Sequence, residues 1–142
     1  MRNSFDMQLR KLNNELIEMG SLIETAIARA YKGLINQNIE IAKENVEFDR
    51  EIDQKEKEVE NICLKLLLQQ QPVASDLRLI SSAIKMITDM ERIGDQAADI
   101  SELTILMSKT QYIKRLDHIE KMAKATIEMV TTSVYSFVKR DL

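Results

Sequence analysis

The chain has 142 residues and a formal net charge of −3, which suits one domain with one hydrophobic core and gives no general attraction to nucleic acid or to an anionic membrane. Hydrophobic residues make up 44% of the chain and charged residues 30%, yet no segment approaches the roughly 18 consecutive apolar residues of a membrane span. The polar residues that follow Met1 exclude a secretory signal, so we expect a cytoplasmic protein.

With only 3 glycines and 1 proline, the composition predicts long helices joined by short connections. Helix one is predicted from Ser4 to Ile35, where apolar residues recur at steps of three and four, and the asparagines at 36 and 38 end it. Helix two is predicted from Ile39 to Gln70, because Pro72 disfavours helical geometry in the residue before it. Cys63 lies among apolar residues of this helix and is predicted to be a core thiol.

Helix three is predicted from Ser75 to Met107, with Ser75 as its N-cap and Asp76 in its positive first turn. Two apolar stripes give it a wide contact surface, formed by Leu77, Ile80, Ile84, Ile87, Gly94 and Ala98 on one side and by Leu79, Ala83, Met86, Met90, Ile93, Ala97 and Ile100 on the other. Helix four is predicted from Leu116 to Lys139, after a loop at residues 109–111.

Long helices with short turns predict an all-α protein, in which helices one to three form an antiparallel up-down bundle. Helix four resembles a second copy of helix one, with Leu16 falling on Ile119 and Met19 on Met122. We therefore expect residues 1–107 to form a three-helix repeat and residues 108–142 to begin a second, truncated one. This arrangement predicts an exposed apolar face on helix three or four that recruits another chain, most simply as a homodimer.

Acidic residues form a ridge on each of two helices. Like charges at such spacing destabilise a helix by roughly 0.2–0.5 kcal/mol per pair, and a solvated face usually interleaves signs to avoid this cost. The ridges consist of Asp49, Asp53, Glu56 and Glu60 on helix two, and of Glu91, Asp95, Asp99 and Glu102 on helix three.

In an antiparallel hairpin centred on Pro72, Asp49 should lie level with Asp95, and Asp53 with Glu91. The four carboxylates would then surround a small volume, where they would repel one another and take up protons unless a cation were present. With a cation, they would form an all-oxygen site for magnesium, manganese, iron or zinc.

Other interpretations remain open from the residues alone. Basic residues at 50, 55, 57 and 92 allow the ridges to be solvated surface of a purely structural scaffold. Arg78 near the start of helix three allows a phosphate site, which Asp76 opposes. A carboxylate-bridged metalloenzyme is a further alternative, although His118 is the only histidine and no Glu-x-x-His pair or glycine-rich phosphate loop is present.

Three segments resemble the PhoU family. Residues 71–78, Gln-Pro-Val-Ala-Ser-Asp-Leu-Arg, resemble the second turn of these proteins. Residues 91–97, Glu-Arg-Ile-Gly-Asp-Gln-Ala, match their acidic motif, Glu/Asp-x-x-x-Asp, and residues 49–53, Asp-Arg-Glu-Ile-Asp, resemble the partner motif on the preceding helix. Together with the first helix, the resemblance covers residues 1–107. Asp99 departs from the family pattern, in which an amide is more common.

The resemblance implies tandem three-helix bundles that carry metal clusters, with Asp49, Asp53, Glu91 and Asp95 as ligands. Iron or zinc is expected first, with manganese and magnesium as alternatives. It also implies a non-enzymatic regulator of phosphate uptake that holds the phosphate-starvation response off. Its partners would be the ATPase subunit of a phosphate ABC transporter and a sensor histidine kinase, and it would reach the membrane only through them. PhoU-like bundles also form the tails of sodium–phosphate cotransporters, which is an alternative origin for this chain.

Overall fold

Strong helix formers and few helix breakers give the chain four α-helices in the computed structural model, which describes residues 2–68, 73–107 and 117–140. The helices are α1 (Arg2–Asn36), α2 (Ile39–Leu68), α3 (Ala74–Leu106) and α4 (Asp117–Arg140). No strand occurs in these described ranges, so the all-α prediction is confirmed. None of the described helical segments is long and apolar enough to cross a bilayer.

The turn between α1 and α2 follows the predicted break. Gln37 adopts the left-handed conformation, with φ of 49°, that often ends a helix. The N–H of Asn38 then donates to the carbonyl oxygen of Gly33 at 3.0 Å, as in a Schellman motif. The Asn38 side-chain oxygen accepts from the N–H of Ile41 at 3.1 Å, so Asn38 caps α2.

The start of α3 differs from the prediction that Ser75 is its N-cap. The helix begins at Ala74, and Val73 occupies the cap position with an extended backbone. Asp76 supplies the polar contact instead, because its Oδ2 accepts from the N–H of Val73 at 3.3 Å. Ser75 therefore lies inside the first turn. The predicted end of helix two at Gln70, the loop at 109–111 and the predicted start at Leu116 lie outside the described residues.

The core surrounds α1, which contacts α2, α3 and α4. Contacts of Asn45 with Ser101 and of Ile52 with Gly94 show that α2 and α3 run antiparallel, as predicted. Cys63 is fully buried, as expected of a core thiol. The largest fully buried side chains come from the first three helices, and they include Leu12, Leu16, Met19, Ile23, Ile52, Leu66, Ile80 and Ile87.

The fourth helix lies on α1, where the side chain of Val134 packs against Gly20. Two residues of the predicted α3 stripes are not core, because Leu77 is 42% exposed and Ile100 is 41% exposed. Large apolar side chains remain exposed on α3, at its C-cap and on α4, at Leu103, Leu106, Met107, Met122, Met129 and Tyr135. That these side chains recruit another chain stays a prediction.

A candidate metal centre between α2 and α3

Gly94 allows the two helices with acidic ridges, α2 and α3, to pack closely against each other. A Cβ atom added to Gly94 would lie 3.1 Å from both Cδ1 and Cγ2 of Ile52, which is tighter than an ordinary van der Waals contact. Because Gly94 has no side chain, α3 can lie directly against Ile52 on α2. The next residue, Asp95, is thereby brought to the carboxylates of α2.

Three carboxylates converge at this point. Asp49, Asp53 and Asp95 each offer one oxygen atom, and these oxygens all lie within 4.8 Å of one another. Asp49 and Asp53 are one helical turn apart on α2, and Asp95 faces them from α3. The structure therefore places Asp49 beside Asp95, as the hairpin geometry predicts.

Glu91 joins the cluster through Asp95 rather than as a member of the three-oxygen group. A hydrogen bond between the side chains of Glu91 and Asp95, together with burial and nearby negative charge, raises the pKa of Glu91 to about 8. The negative charge of Asp53 is among these causes, so the pKa of Glu91 also depends on the carboxylates of α2. All four predicted ligands thus share one location.

Crowding also changes the acidity of the α2 carboxylates. Burial, a hydrogen bond to Asp95 and the charges of Asp95, Asp53 and Asp99 raise the pKa of Asp49 to about 7. Burial and the neighbouring Glu60, Asp53 and Asp95 likewise raise the pKa of Glu56, despite the opposing charge of Lys57. At neutral pH the cluster therefore holds protons that a bound cation would displace.

The donor set fits a metal ion. In the described part of the chain, Oδ1 of Asp49 and Oδ1 of Asp53 are buried without a hydrogen-bond partner, and such atoms are costly to leave unpaired. Carboxylate oxygens suit hard and borderline cations such as Mg²⁺, Mn²⁺, Zn²⁺ and iron. A bound cation would supply the missing positive charge and accept these unused lone pairs. The four carboxylates would hold it between α2 and α3.

Not every residue of the predicted ridges belongs to this cluster. Glu60 and Glu102 are exposed, and Asp99 is exposed although its charge acts on Asp49. Lys55, one of the basic residues that favoured a solvated face, is turned away from the cluster. It pairs with Glu15 at 2.6 Å and with Glu18 at 2.7 Å on α1.

The phosphate alternative at Arg78 finds little support in the geometry. Arg78 lines a groove of about 820 Å³ between α3 and α4, together with Ser75, Ser133 and Ser136. Asp76 lines the same groove and accepts from the N–H of Val73 at the start of α3. Its carboxylate therefore occupies the position in which a helix N-terminus would bind an anion.

Sequence reasoning missed a buried polar contact beside the cluster. Asn45 is 1% exposed, and its Nδ2 donates to the carbonyl oxygen of Ala26 and to Oγ of Ser101, both at 2.9 Å. A signal for it exists in the sequence. Asn45 precedes Ile52 and Val59 at seven-residue intervals, so it occupies a seam position that an apolar residue would usually fill.

Comparisons with known proteins give the same family throughout. The profile of the PhoU domain matches residues 16–104. The chain is 36% identical to the phosphate-specific transport system accessory protein PhoU homolog of Aquifex aeolicus over 94% of its own length and 61% of the relative's. It is 34% identical to the homolog of Clostridium acetobutylicum over 99% of its length and 65% of the relative's.

A solved structure agrees with these matches. The crystal structure of PhoU from Pseudomonas aeruginosa superposes with a TM-score of 0.89 at 29% identity, covering 95% of this chain and 65% of that one. The chain therefore spans less than two thirds of the length of each of these relatives.

Proposed function

The chain belongs to the PhoU family, and from this premise we propose that it is a non-catalytic accessory module of phosphate uptake that binds metal ions at the α2–α3 carboxylate centre. Its relatives are named as accessory proteins of phosphate-specific transport systems, which supports a role in regulating phosphate transport. The metal ion is iron or zinc in the first instance, with manganese and magnesium as alternatives.

The observation that carries the metal proposal is the meeting of Asp49, Asp53 and Asp95 within 4.8 Å. In the described ranges, no lysine or arginine forms an ion pair with these carboxylates or with Glu91. The described residues therefore supply the negative charge but no paired cation to balance it, and an external cation would meet that need. The proposed role of the ion is structural or sensory, because in the described part of the chain the group of possible ligands consists of carboxylates alone, without histidine or cysteine.

The proposed regulatory action is to hold the phosphate-starvation response off when phosphate is plentiful. The proposed partners are the ATPase subunit of a phosphate ABC transporter and a sensor histidine kinase, together with a second copy of the chain in a homodimer. The relatives' description as transport accessory proteins supports the first partner. The exposed apolar side chains on α3 and α4 provide surface for such contacts.

Elemental analysis of protein purified without chelator tests the metal proposal. We expect about one or more ions of iron, zinc or manganese per chain, lost in the Asp53→Asn/Glu91→Gln double variant. The matched control is Glu44→Gln/Asp89→Asn, which removes the same charge from exposed positions on the same two helices. Absence of metal from the wild type, even after soaking with these ions, would contradict the proposal.

Two further measurements separate regulation from catalysis and address the partner. Turnover of a generic phosphoester by metal-loaded protein, abolished by Glu91→Ala, would favour the metalloenzyme alternative, whereas we expect none. Co-purification with the transporter ATPase subunit should be retained by the Glu44→Gln/Asp89→Asn control. Failure of the wild type to bind that subunit would contradict the proposed partner but not the metal site.

A further inference from the structure

One buried amide joins the three helices of the bundle next to the carboxylates. Nδ2 of Asn45 on α2 donates to the carbonyl oxygen of Ala26 on α1 and to Oγ of Ser101 on α3, each at 2.9 Å. Asn45 and Ser101 are both 1% exposed, so these bonds are shielded from water. Asn45 lies one helical turn before Asp49, so any displacement of Asn45 relative to α3 is also a displacement of the α2 carboxylates.

The pattern around Asn45 shows why the amide has a specific effect. Asn45 continues a stripe of α2 residues whose other members are fully buried and apolar, and Ser101 continues the facing stripe on α3. Apolar layers repeated at seven-residue intervals pack at several offsets, but Nδ2 of Asn45 reaches both of its acceptors at only one. Oδ1 of Asn45 has no hydrogen-bond partner among the described residues, so the restraint comes from the two Nδ2 bonds. The two stripes are Asn45, Ile52, Val59 and Leu66 on α2, and Ile80, Ile87, Gly94 and Ser101 on α3.

The carboxylate cluster creates a need for such a restraint. Oxygen atoms of Asp49, Asp53 and Asp95 lie within 4.8 Å of one another, and wherever these groups are ionised their repulsion acts to separate or shift α2 against α3. The contact of Ile52 with Gly94 limits how closely the helices approach, but an apolar contact resists sliding only weakly. The hydrogen bond from Asn45 to Ser101 crosses the same interface and resists sliding directly.

We infer that Asn45 is a positioning residue, which fixes the offset of α2 against α3 and thereby the separation between the carboxylates of Asp49 and Asp95. The effect of this offset on metal binding rests on the proposed function, whereas the offset itself does not. Groups that hold metal ligands in place typically change metal affinity by about 10–100-fold when they are removed.

The offset is measured without metal by pulsed electron spin resonance between two spin labels. Labels at Glu44→Cys on α2 and Lys85→Cys on α3, both exposed positions, in a Cys63→Ala background, should lie about 25 Å apart along the bundle axis. With Asn45→Leu or the smaller Asn45→Ala added, we expect the distance distribution to broaden or shift, by up to about 5 Å for a slip of one turn. A distribution with the same mean distance and the same width as that of the labelled parent, in either folded variant, would overturn the inference.

Titration with Mn²⁺ measures the consequence for the site. We expect the folded Asn45 variants to bind Mn²⁺ about 10–100-fold more weakly than the wild type, and Ser101→Ala to show a smaller loss in the same direction. Leu12→Ala is the control, since it removes a fully buried side chain of α1 away from the cluster and should keep both the affinity and the label distance. Wild-type affinity in the Asn45 variants would overturn the inference. If the wild type itself bound no metal, the proposed function would fail and the label distances alone would decide.

Discussion

Both faces of α2 carry clustered carboxylates, but only the cluster on the face toward α1 includes a basic side chain among the described residues. On the face toward α1, the carboxylates of Glu15, Glu18 and Glu58 gather around Lys55, at 2.6, 2.7 and 3.2 Å from its Nζ. On the face toward α3, Asp49 and Asp53 gather with carboxylates of α3, and in the described residues no basic side chain pairs with them.

The protonation behaviour of the two faces differs accordingly. Burial disfavours the charged form of Lys55, but its hydrogen bonds to the three glutamates prevail and raise its pKa above the ordinary value. On the other face, burial and neighbouring carboxylates raise the pKa of Asp49 to about 7. One cluster thus contains its own cation. The other must bind protons or take up a cation from solution, and this difference is the physical basis of the proposed metal site.

Placing a lysine in the second cluster should remove the difference between the faces. In Asp53→Lys, the new ammonium lies among Asp49, Asp95 and Glu91, so we expect metal affinity to fall by more than about 100-fold. Metal-free stability should rise by about 1–3 kcal/mol, because repulsion is replaced by attraction. Metal titration and urea unfolding measure the two effects. Glu102→Lys, an exposed charge reversal on α3, should leave metal affinity nearly unchanged.

The pH dependence of stability should report the raised pKa values in the metal-free carboxylate cluster between α2 and α3. The raised pKa values mean that the folded protein keeps protons that the unfolded chain releases above its ordinary values of 3.8 for Asp49 and 4.5 for Glu91. The free energy of unfolding should therefore fall as pH rises from about 4 to about 8, and then level off. Asp95→Asn, which removes the common partner of both groups, should flatten this decline. A decline equally steep in Asp95→Asn would contradict the assignment.

Removing the ammonium group of Lys55 should leave the face toward α1 with unbalanced carboxylates, as on the face toward α3. Lys55 is 15% exposed, and its loss in Lys55→Met leaves three carboxylates without a cation. We expect a loss of about 2 kcal/mol, less than for a fully buried pair because Glu18 and Glu58 remain partly solvated. Thermal unfolding measures it, with Lys65→Met at an exposed position of the same helix as the control. Equal stability of the two variants would show that the Lys55 cluster contributes nothing.

The smallest expected effects concern the distance between α2 and α3 at Gly94. Gly94→Ala places a methyl group 3.1 Å from Ile52 and should cost about 1–2 kcal/mol through overpacking, with weaker metal binding. Gly33→Ala meets its nearest neighbours at 3.6 Å, an ordinary contact, and should be neutral or stabilising by up to about 1 kcal/mol. Chemical denaturation compares them. A Gly94→Ala protein as stable as Gly33→Ala would mean that α3 does not need close approach at this point.

The sequence predicted the fold because its periodicity and its few breakers agree along the chain. The break at residues 36–38 and the antiparallel pairing of the ridges are both confirmed. The start of α3 was wrong by a small margin, since Asp76 can reach back to the N–H of Val73 and makes a serine cap unnecessary. The exposure of Leu77 and Ile100 depends on which helices pack beside α3, and periodicity alone does not specify that.

The position of the acidic cluster was predicted from the sequence, but the contacts of the neighbouring residues Lys55 and Asn45 were not. Two ridges with matched spacing in one hairpin suffice to bring Asp49 beside Asp95. The direction of Lys55 depends on how α2 is rotated relative to α1, which a list of nearby basic residues does not reveal. The contact of Asn45 with Ser101 joins residues far apart in the chain, so it becomes visible only when the offset of the helices is known.

Anomalous diffraction from crystals grown with Zn²⁺ tests the metal site most directly, because it locates the ion. We expect a peak between α2 and α3, about 2.0–2.2 Å from carboxylate oxygens of Asp49, Asp53 and Asp95, with Glu91 beside it. The same peak should be missing from Asp53→Asn/Glu91→Gln crystals. A peak only among exposed carboxylates elsewhere, or no peak between α2 and α3, would contradict it.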